Sequence, residues 1–164
     1  MNVRERAAYY LNIKPRTRMQ VEKYLKEKGF DESEIIEAVE ELEEYGYIND
    51  KNFASMYFQL GFDKGRAVSR IKRELTEKGV SSEDIEEAFM ELENVPDEYD
   101  AALSMAREIV NRIIPCSAAE EISQLEWKDR QKLLGKIAGR LSRRGYSSSV
   151  VYRASKEAID ERTV

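Results

Sequence analysis

The chain has 164 residues, of which 41% are hydrophobic and 36% are charged, and its formal net charge is −5. It contains no histidine and a single cysteine, which excludes histidine-dependent acid–base or nucleophilic chemistry, histidine metal sites and an intramolecular disulfide. No apolar stretch approaches the roughly 18 residues of a membrane span, and the N-terminus lacks a signal peptide's apolar segment, so we expect a cytoplasmic protein that contacts no membrane.

The first predicted repeat covers residues 1–48 and consists of three short helices. Apolar residues recur there at helical spacing in three successive runs, and no run alternates as a strand does. The second run is basic and ends in Lys-Gly at Gly29, and apolar Phe30 and the capping residue Asp31 follow. Asp31 and Glu34 have the spacing of a capping box. The pattern predicts a helix that ends at the glycine and another that starts directly after Asp31.

The same pattern occurs twice more, at Gly79 and Gly145, and it defines repeats at 49–95 and 96–164. The third repeat carries an insertion at about 114–129, which contains the only tryptophan and the only cysteine. We expect the tryptophan to pack the insertion against its own repeat. Units of this size bury a small core alone and gain stability by stacking. The sequence therefore predicts an all-α, elongated, solenoid-like array of three tandem three-helix repeats.

Charge is segregated along the chain in step with the repeats. Residues 14–28, 64–79 and 130–145 each hold six basic residues, whereas 31–50 and 80–100 each hold nine acidic residues and no basic one. The basic segments coincide with the second predicted helix of each repeat. The carboxylates form runs typical of solvated helix faces, so composition and pattern favour a binding protein without cofactor or metal over an enzyme.

The basic residues of the second helices are predicted to share one face. Val68, Ile71 and Leu75 are predicted to face inward at helical spacing. This places Arg66, Arg70 and Arg73 on the opposite side. Stacked repeats would bring such faces to one surface that suits a nucleic-acid backbone or a filament with acidic patches. The alternative is that basic and acidic helices only neutralise one another within the chain. The candidate basic stripe consists of Arg16, Arg18, Lys23, Lys64, Arg66, Arg70, Lys72, Arg73, Lys132, Lys136, Arg140 and Arg143.

One run of residues in the second repeat combines a specific order, spacing and residue type. An acidic residue precedes a Phe-Ala pair, and a basic residue followed by isoleucine then leads through Glu-Leu to Lys-Gly. Its structural positions are Asp50, Phe53, Ala54, Ile71, Leu75, Lys78 and Gly79. This run resembles the RecX family of bacterial recombination regulators, and the likeness covers essentially the whole chain. One departure is that family members often have Gly-Pro shortly before the basic-isoleucine pair, where this chain has Gly65-Arg66-Ala67.

The resemblance implies a curved, elongated array of three three-helix repeats without catalytic activity. It also implies a function, which is to bind the RecA–DNA filament and to inhibit the ATPase, strand-exchange and coprotease activities of RecA. The partners would be the RecA filament and the single- or double-stranded DNA within it, and the chain itself would be a monomer. Two alternatives remain from the residues alone. One is a sequence-nonspecific DNA-binding helical protein, and the other is a helical-repeat scaffold for acidic protein partners.

Overall fold

The computed structural model describes residues 1–114 and 126–162, and in these ranges the chain forms α-helices and no strand. This confirms the all-α repeat fold predicted from the sequence. Cys116 and most of the predicted insertion lie outside the described residues. The described helices are α1 Val3–Ile13, α2 Arg18–Glu27, α3 Glu32–Glu44, α4 Asp50–Asp63, α5 Val68–Glu77, α6 Ser82–Met90, α7 Glu98–Ile113, α8 Trp127–Arg143 and α9 Ser148–Asp160.

The predicted glycine turns are present between the second and third helix of each repeat. Gly29, Gly79 and Gly145 have φ angles of +88°, +89° and +92°, and α3, α6 and α9 begin three residues after them. A glycine in this left-handed conformation ends the preceding helix without a side-chain clash. The turns therefore follow directly from the repeated sequence pattern.

The helix starts after these turns are held by local polar contacts. The backbone N–H of Asp31 donates to the Glu34 carboxylate at 3.2 Å, and the backbone N–H of Asp84 donates to the Ser81 hydroxyl at 3.1 Å. Each contact satisfies an N–H group at a helix start, which lacks an intrahelical partner. The capping residues predicted at the first two turns thus act at the predicted positions.

The described chain divides into two compact units, and α4 and α5 contribute residues to both. Unit 1 comprises Met1–Leu60 and Ile71–Glu93, and unit 2 comprises Gly61–Arg70 and the described residues from Asn94 onward. The repeat boundaries at 1–48, 49–95 and 96–164 stay a prediction.

In unit 1, the first three helices pack against one another around a small apolar core. Phe58, Ile71 and Leu75 of α4 and α5 are also fully buried in this unit. Burying side chains of this size contributes about 1.5–3 kcal/mol each relative to leaving them exposed. The core of the first three helices consists of Val3, Ala7, Val21, Leu25, Ile35, Ala38, Val39 and Ile48.

In unit 2, α7 packs against both α8 and α9, and the core includes Ala67 from the turn between α4 and α5. Trp127, the first residue of α8, is 72% exposed. The expectation that it packs is therefore wrong. Within the described ranges, no helix is long and apolar enough to cross a bilayer. The core of unit 2 consists of Ala67, Ala102, Leu103, Ala106, Ile109, Val110, Leu133, Ile137, Leu141, Tyr146, Val151, Ala154, Ala158 and Ile159.

Candidate anion-binding groove

Unit 2 contains an open groove of about 930 Å³, and the charged side chains that line it are predominantly cationic. The turn between α4 and α5, one face of α7 and the C-terminal end of α8 form its walls. Asp63 and Glu108 are its only lining carboxylates among the described residues. The cationic residues that line it are Lys64, Arg66, Arg70, Arg112, Arg140, Arg143 and Arg144.

The turn between α4 and α5 is held against the end of α8 by backbone contacts. The N–H of Ala67 donates to the carbonyl of Arg144 at 2.9 Å, and the Tyr146 hydroxyl donates to the carbonyl of Gly65 at 3.0 Å. Burial raises the pKa of Tyr146, although the nearby Arg144 charge opposes this. The phenol therefore keeps its proton and its role as a donor. These contacts fix the position of Lys64 and Arg66 in the groove wall.

The start of α5 completes the same wall by binding carbonyl groups at the end of α8 and in the turn after it. The Arg70 guanidinium donates to the carbonyl of Arg143 at 2.7 Å, and the Ser69 hydroxyl donates to the carbonyl of Gly145 at 2.5 Å. The Arg143 carbonyl is in the last turn of α8, where carbonyls lack an intrahelical partner, so the contact with Arg70 caps that helix. A Cβ atom at Gly145 would lie 2.5 Å from the Cβ of Arg70. The approach of the two segments therefore requires glycine at this position.

The charges in the groove are only partly neutralised. Glu108 pairs with Arg112 at 2.7 Å within α7. Lys64, Arg140 and Arg143 are exposed, and they pair with no carboxylate in the part of the chain that the structure describes. The Arg144 side chain donates to the carbonyl of Lys64, which leaves its positive charge in place. Several guanidinium groups in one concave surface match the geometry of phosphate or carboxylate oxygens.

Five residues of the predicted stripe line this groove: Lys64, Arg66, Arg70, Arg140 and Arg143. Two other cationic residues of the groove, Arg112 and Arg144, were not predicted from the sequence. Arg112 lies in the last turn of α7 and Arg144 directly follows α8. Basic residues at helix ends are explained by the helix dipole alone, so neither had a sequence signal that pointed to a groove.

The sequence predicted that the arginines of the second repeat share one helix face, and the structure does not place all of them on one face. Because α5 begins at Val68, Arg66 lies in the preceding turn rather than on the helix. Arg70 lies in the first turn of α5, and Arg73 is exposed further along it but does not line the groove. The prediction that all three share one face of α5 is therefore wrong for Arg66, which reaches the groove through the turn.

The predicted cations of the first repeat are partly engaged within unit 1. The Arg16 guanidinium lies 4.1 Å from the centre of the Tyr10 ring. Arg18 pairs with Glu22 at 2.8 Å and with Glu43 at 2.7 Å, and these carboxylates raise its pKa. Lys23 is exposed. The charge of Arg18 is therefore neutralised within unit 1, whereas the Arg16 charge lies against the uncharged Tyr10 ring.

The other predicted cations lie outside the groove. Lys72 pairs with Glu86 at 2.8 Å, and its ammonium group lies 4.4 Å from the centre of the Phe89 ring. Lys132 and Lys136 are exposed on α8 and line a separate depression in unit 2. The structure thus separates the stripe into a groove cluster, internally paired residues and scattered exposed residues.

The motif of the second repeat has structural roles. Asp50 accepts a hydrogen bond from the backbone N–H of Arg18 at 2.9 Å, and burial of this carboxyl raises its pKa. The carbonyl of Lys78 accepts a hydrogen bond from the buried Thr17 hydroxyl at 2.6 Å. Ala54, Ile71 and Leu75 are buried, Phe53 is half-buried, and Gly79 forms the turn.

Comparison with known proteins shows a consistent likeness. The models of the first and second three-helix domains of RecX match residues 4–42 and 49–88. The regulatory protein RecX of Streptomyces coelicolor is 32% identical over 149 residues, which is 90% of this chain and 72% of the relative. That of Corynebacterium efficiens is 29% identical over 161 residues, which is 98% of this chain and 73% of the relative. The crystal structure of RecX from Lactobacillus salivarius has the same fold, with a TM-score of 0.71 at 23% identity over 95% of this chain and 94% of that one.

Proposed function

Because the chain belongs to the RecX family of regulatory proteins, we propose that it is a negative regulator of the RecA recombinase. In this proposal it binds the RecA–DNA filament in the cytoplasm as a non-catalytic monomer. Binding inhibits the ATPase, strand-exchange and coprotease activities of RecA. The resemblance of the second-repeat motif to this family supports the proposal.

The observation that carries the proposal is the cationic groove of unit 2. Seven cationic residues and two carboxylates line it, whereas the whole chain has a net charge of −5. A chain that is acidic overall but has one strongly cationic concave surface suits a defined anionic partner better than general coating of DNA. A filament offers such a partner through its DNA phosphates and through acidic protein surface.

The proposed mechanism is electrostatic and steric. Lys64, Arg140 and Arg143, which pair with no carboxylate in the described ranges, engage anionic groups of the filament. Arg70 and Arg144 also hold the walls of the groove through backbone carbonyls, so the groove is preorganised before binding. The bound chain then blocks extension or rearrangement of the filament.

Reversal of two exposed groove charges tests this proposal. The double variant Arg140→Glu and Arg143→Glu changes side chains without removing the Arg143 carbonyl to which Arg70 donates. The matched control is Lys128→Glu with Lys156→Glu, two exposed residues of unit 2 that do not line the groove. Both double variants change the net charge equally, so a difference between them reports on position.

Binding to preformed RecA–single-stranded-DNA filaments is measured by fluorescence anisotropy of the labelled chain. We expect the groove variant to bind at least tenfold more weakly than the control variant, with circular dichroism showing that both are folded. Equal loss of binding in the two variants would show that overall charge, not the groove, governs the interaction.

A second candidate function is direct, sequence-nonspecific binding of DNA without RecA, and the cation excess of the groove favours it. If the groove contacts phosphates of single-stranded DNA, loss of two contacts makes the negative slope of log K against log salt shallower by about 1.4, since each contact contributes about −0.7. Binding to naked DNA with this salt dependence, but not to RecA, would favour the second function over the first.

A further inference from the structure

A small apolar pocket with a basic rim lies on the solvent side of α4 in unit 1. Its volume is 270 Å³, below the roughly 300–1,000 Å³ of small-molecule sites, so it fits one large side chain rather than a cofactor. The pocket is separate from the cationic groove of unit 2. The residues that line it are Lys14, Pro15, Gln20, Phe53, Met56, Tyr57, Leu60 and Lys78.

The floor of the pocket is an apolar stripe that the core of unit 1 does not use. Met56 and Leu60 are 51% and 55% exposed, and they follow half-buried Phe53 at a spacing of three and then four residues. Ala54 and Phe58 are the fully buried residues of this stretch of α4. The helix therefore carries two apolar faces, and the outer one is the kind of surface that binds a partner.

The rim of the pocket is basic. Lys14 and Lys78 lie at its edge, and no carboxylate is among its described lining residues. Lys14 is exposed, and Lys78 is half-buried with its ammonium group 5.5 Å from the centre of the Tyr57 ring. A partner that places an apolar side chain between acidic residues would complement both the floor and the rim.

The aromatic residues of the pocket do not favour a nucleic-acid base as the occupant. The Tyr57 ring packs against the Phe53 ring with a centroid separation of 5.9 Å, and it also faces the Lys78 ammonium group. Its hydroxyl is bonded to the Glu74 carboxylate at 2.6 Å. Base stacking needs an open ring face, and the Tyr57 ring is in contact with the Phe53 ring and the Lys78 ammonium group instead. The remaining free surface is aliphatic, from Met56 and Leu60.

We propose that this pocket binds an acidic peptide segment of a partner protein, with one large apolar side chain of that segment inserted between Met56 and Leu60 and its carboxylates at Lys14 and Lys78. The site is in unit 1 and is independent of the function proposed for the groove. It would give the chain a second, protein-specific contact, in which the apolar anchor supplies affinity and the lysines supply orientation.

The test uses the whole chain with isotopically labelled methionine methyl groups, observed by NMR. The probe is an eight-residue peptide with one central phenylalanine between aspartates and glutamates. The comparison peptides replace the phenylalanine with serine, or the acidic residues with lysines. We expect the acidic phenylalanine peptide to shift the Met56 methyl signal in a saturable manner, and each comparison peptide to bind at least tenfold more weakly.

Two substitutions on exposed positions then locate the site. Leu60→Glu and Lys14→Glu should each weaken the acidic peptide at least tenfold, whereas Met90→Glu and Lys26→Glu, also on exposed unit 1 residues, should not. The proposal is overturned by equal binding of the lysine-flanked peptide, by a Met56 shift with single-stranded DNA but not peptide, or by a shift that depends only on protein concentration. The last result would identify a second copy of this chain as the occupant.

Discussion

Replacement of Gly145 by alanine should disrupt unit 2 more than the same replacement at Gly29 disrupts unit 1. Both glycines have the left-handed conformation, with φ of +92° and +88°. That conformation costs alanine about 1–2 kcal/mol at either site. The added Cβ meets nothing within 4 Å at Gly29, but at Gly145 it lies 2.5 Å from the Cβ of Arg70 and 3.1 Å from its backbone nitrogen.

The close approach at Gly145 adds a packing cost to the conformational one. Overpacked sites typically lose a further 1–3 kcal/mol or so. We therefore expect Gly145→Ala to lose about 2–5 kcal/mol and Gly29→Ala about 1–2 kcal/mol. Because the atoms that the new Cβ would crowd belong to Arg70, Gly145→Ala should also displace the Arg70 side chain from the groove wall.

Hydrogen exchange in increasing denaturant measures the two units separately, which avoids assuming that the chain unfolds in one step. The buried amides of α8 and α9 report on Gly145→Ala, and those of α2 and α3 report on Gly29→Ala. An equal loss of protection in both variants would show that the close approach to Arg70 adds no destabilisation at Gly145.

Two further predictions concern unit 1. Thr17→Val removes the hydroxyl that donates to the Lys78 carbonyl and accepts from the Gln20 N–H at the start of α2, and it should lower the free energy of unfolding by about 1–3 kcal/mol. Thr17→Ser keeps both contacts and should lose less; urea denaturation distinguishes the two variants. Burial raises the pKa of Asp50, so its carboxyl binds a proton more tightly in the folded chain than in the unfolded chain. The free energy of unfolding should therefore fall as pH rises from the pKa of Asp50 in the unfolded chain to its higher pKa in the folded chain. Asp50→Asn keeps an acceptor for the Arg18 N–H and should reduce that pH dependence in thermal unfolding, and an unchanged pH dependence would contradict it.

The helices and their turns could be predicted from the sequence because their causes are local. Gly29 needs only its own left-handed conformation to end α2, and Ser81 needs only its own capping contact to begin α6. Apolar spacing likewise identified Ile71 and Leu75 as buried, although Val68, predicted with them, is only half-buried. Such features depend on a few neighbouring residues, so the repeated sequence pattern predicts the turn and the following helix in each of the three repeats.

The groove could be predicted only in part because it depends on contacts between distant segments. Arg112 reaches it from α7, and the turn that carries Arg66 is held there by the hydrogen bond from Ala67 to Arg144. Neither contact has a periodic signature. Conversely, Arg18 belongs to a basic segment but pairs with carboxylates of its own unit. The net charge of the segment does not reveal this pairing.

The most direct test of the central claim is single-stranded-DNA-dependent ATP hydrolysis by RecA from the same organism, with this chain titrated in. We expect inhibition by the unsubstituted chain and by the Lys128→Glu, Lys156→Glu control, at well below one chain per RecA. The Arg140→Glu, Arg143→Glu variant should need at least tenfold more protein for the same effect. Undiminished RecA activity in the presence of the folded, unsubstituted chain would contradict the account.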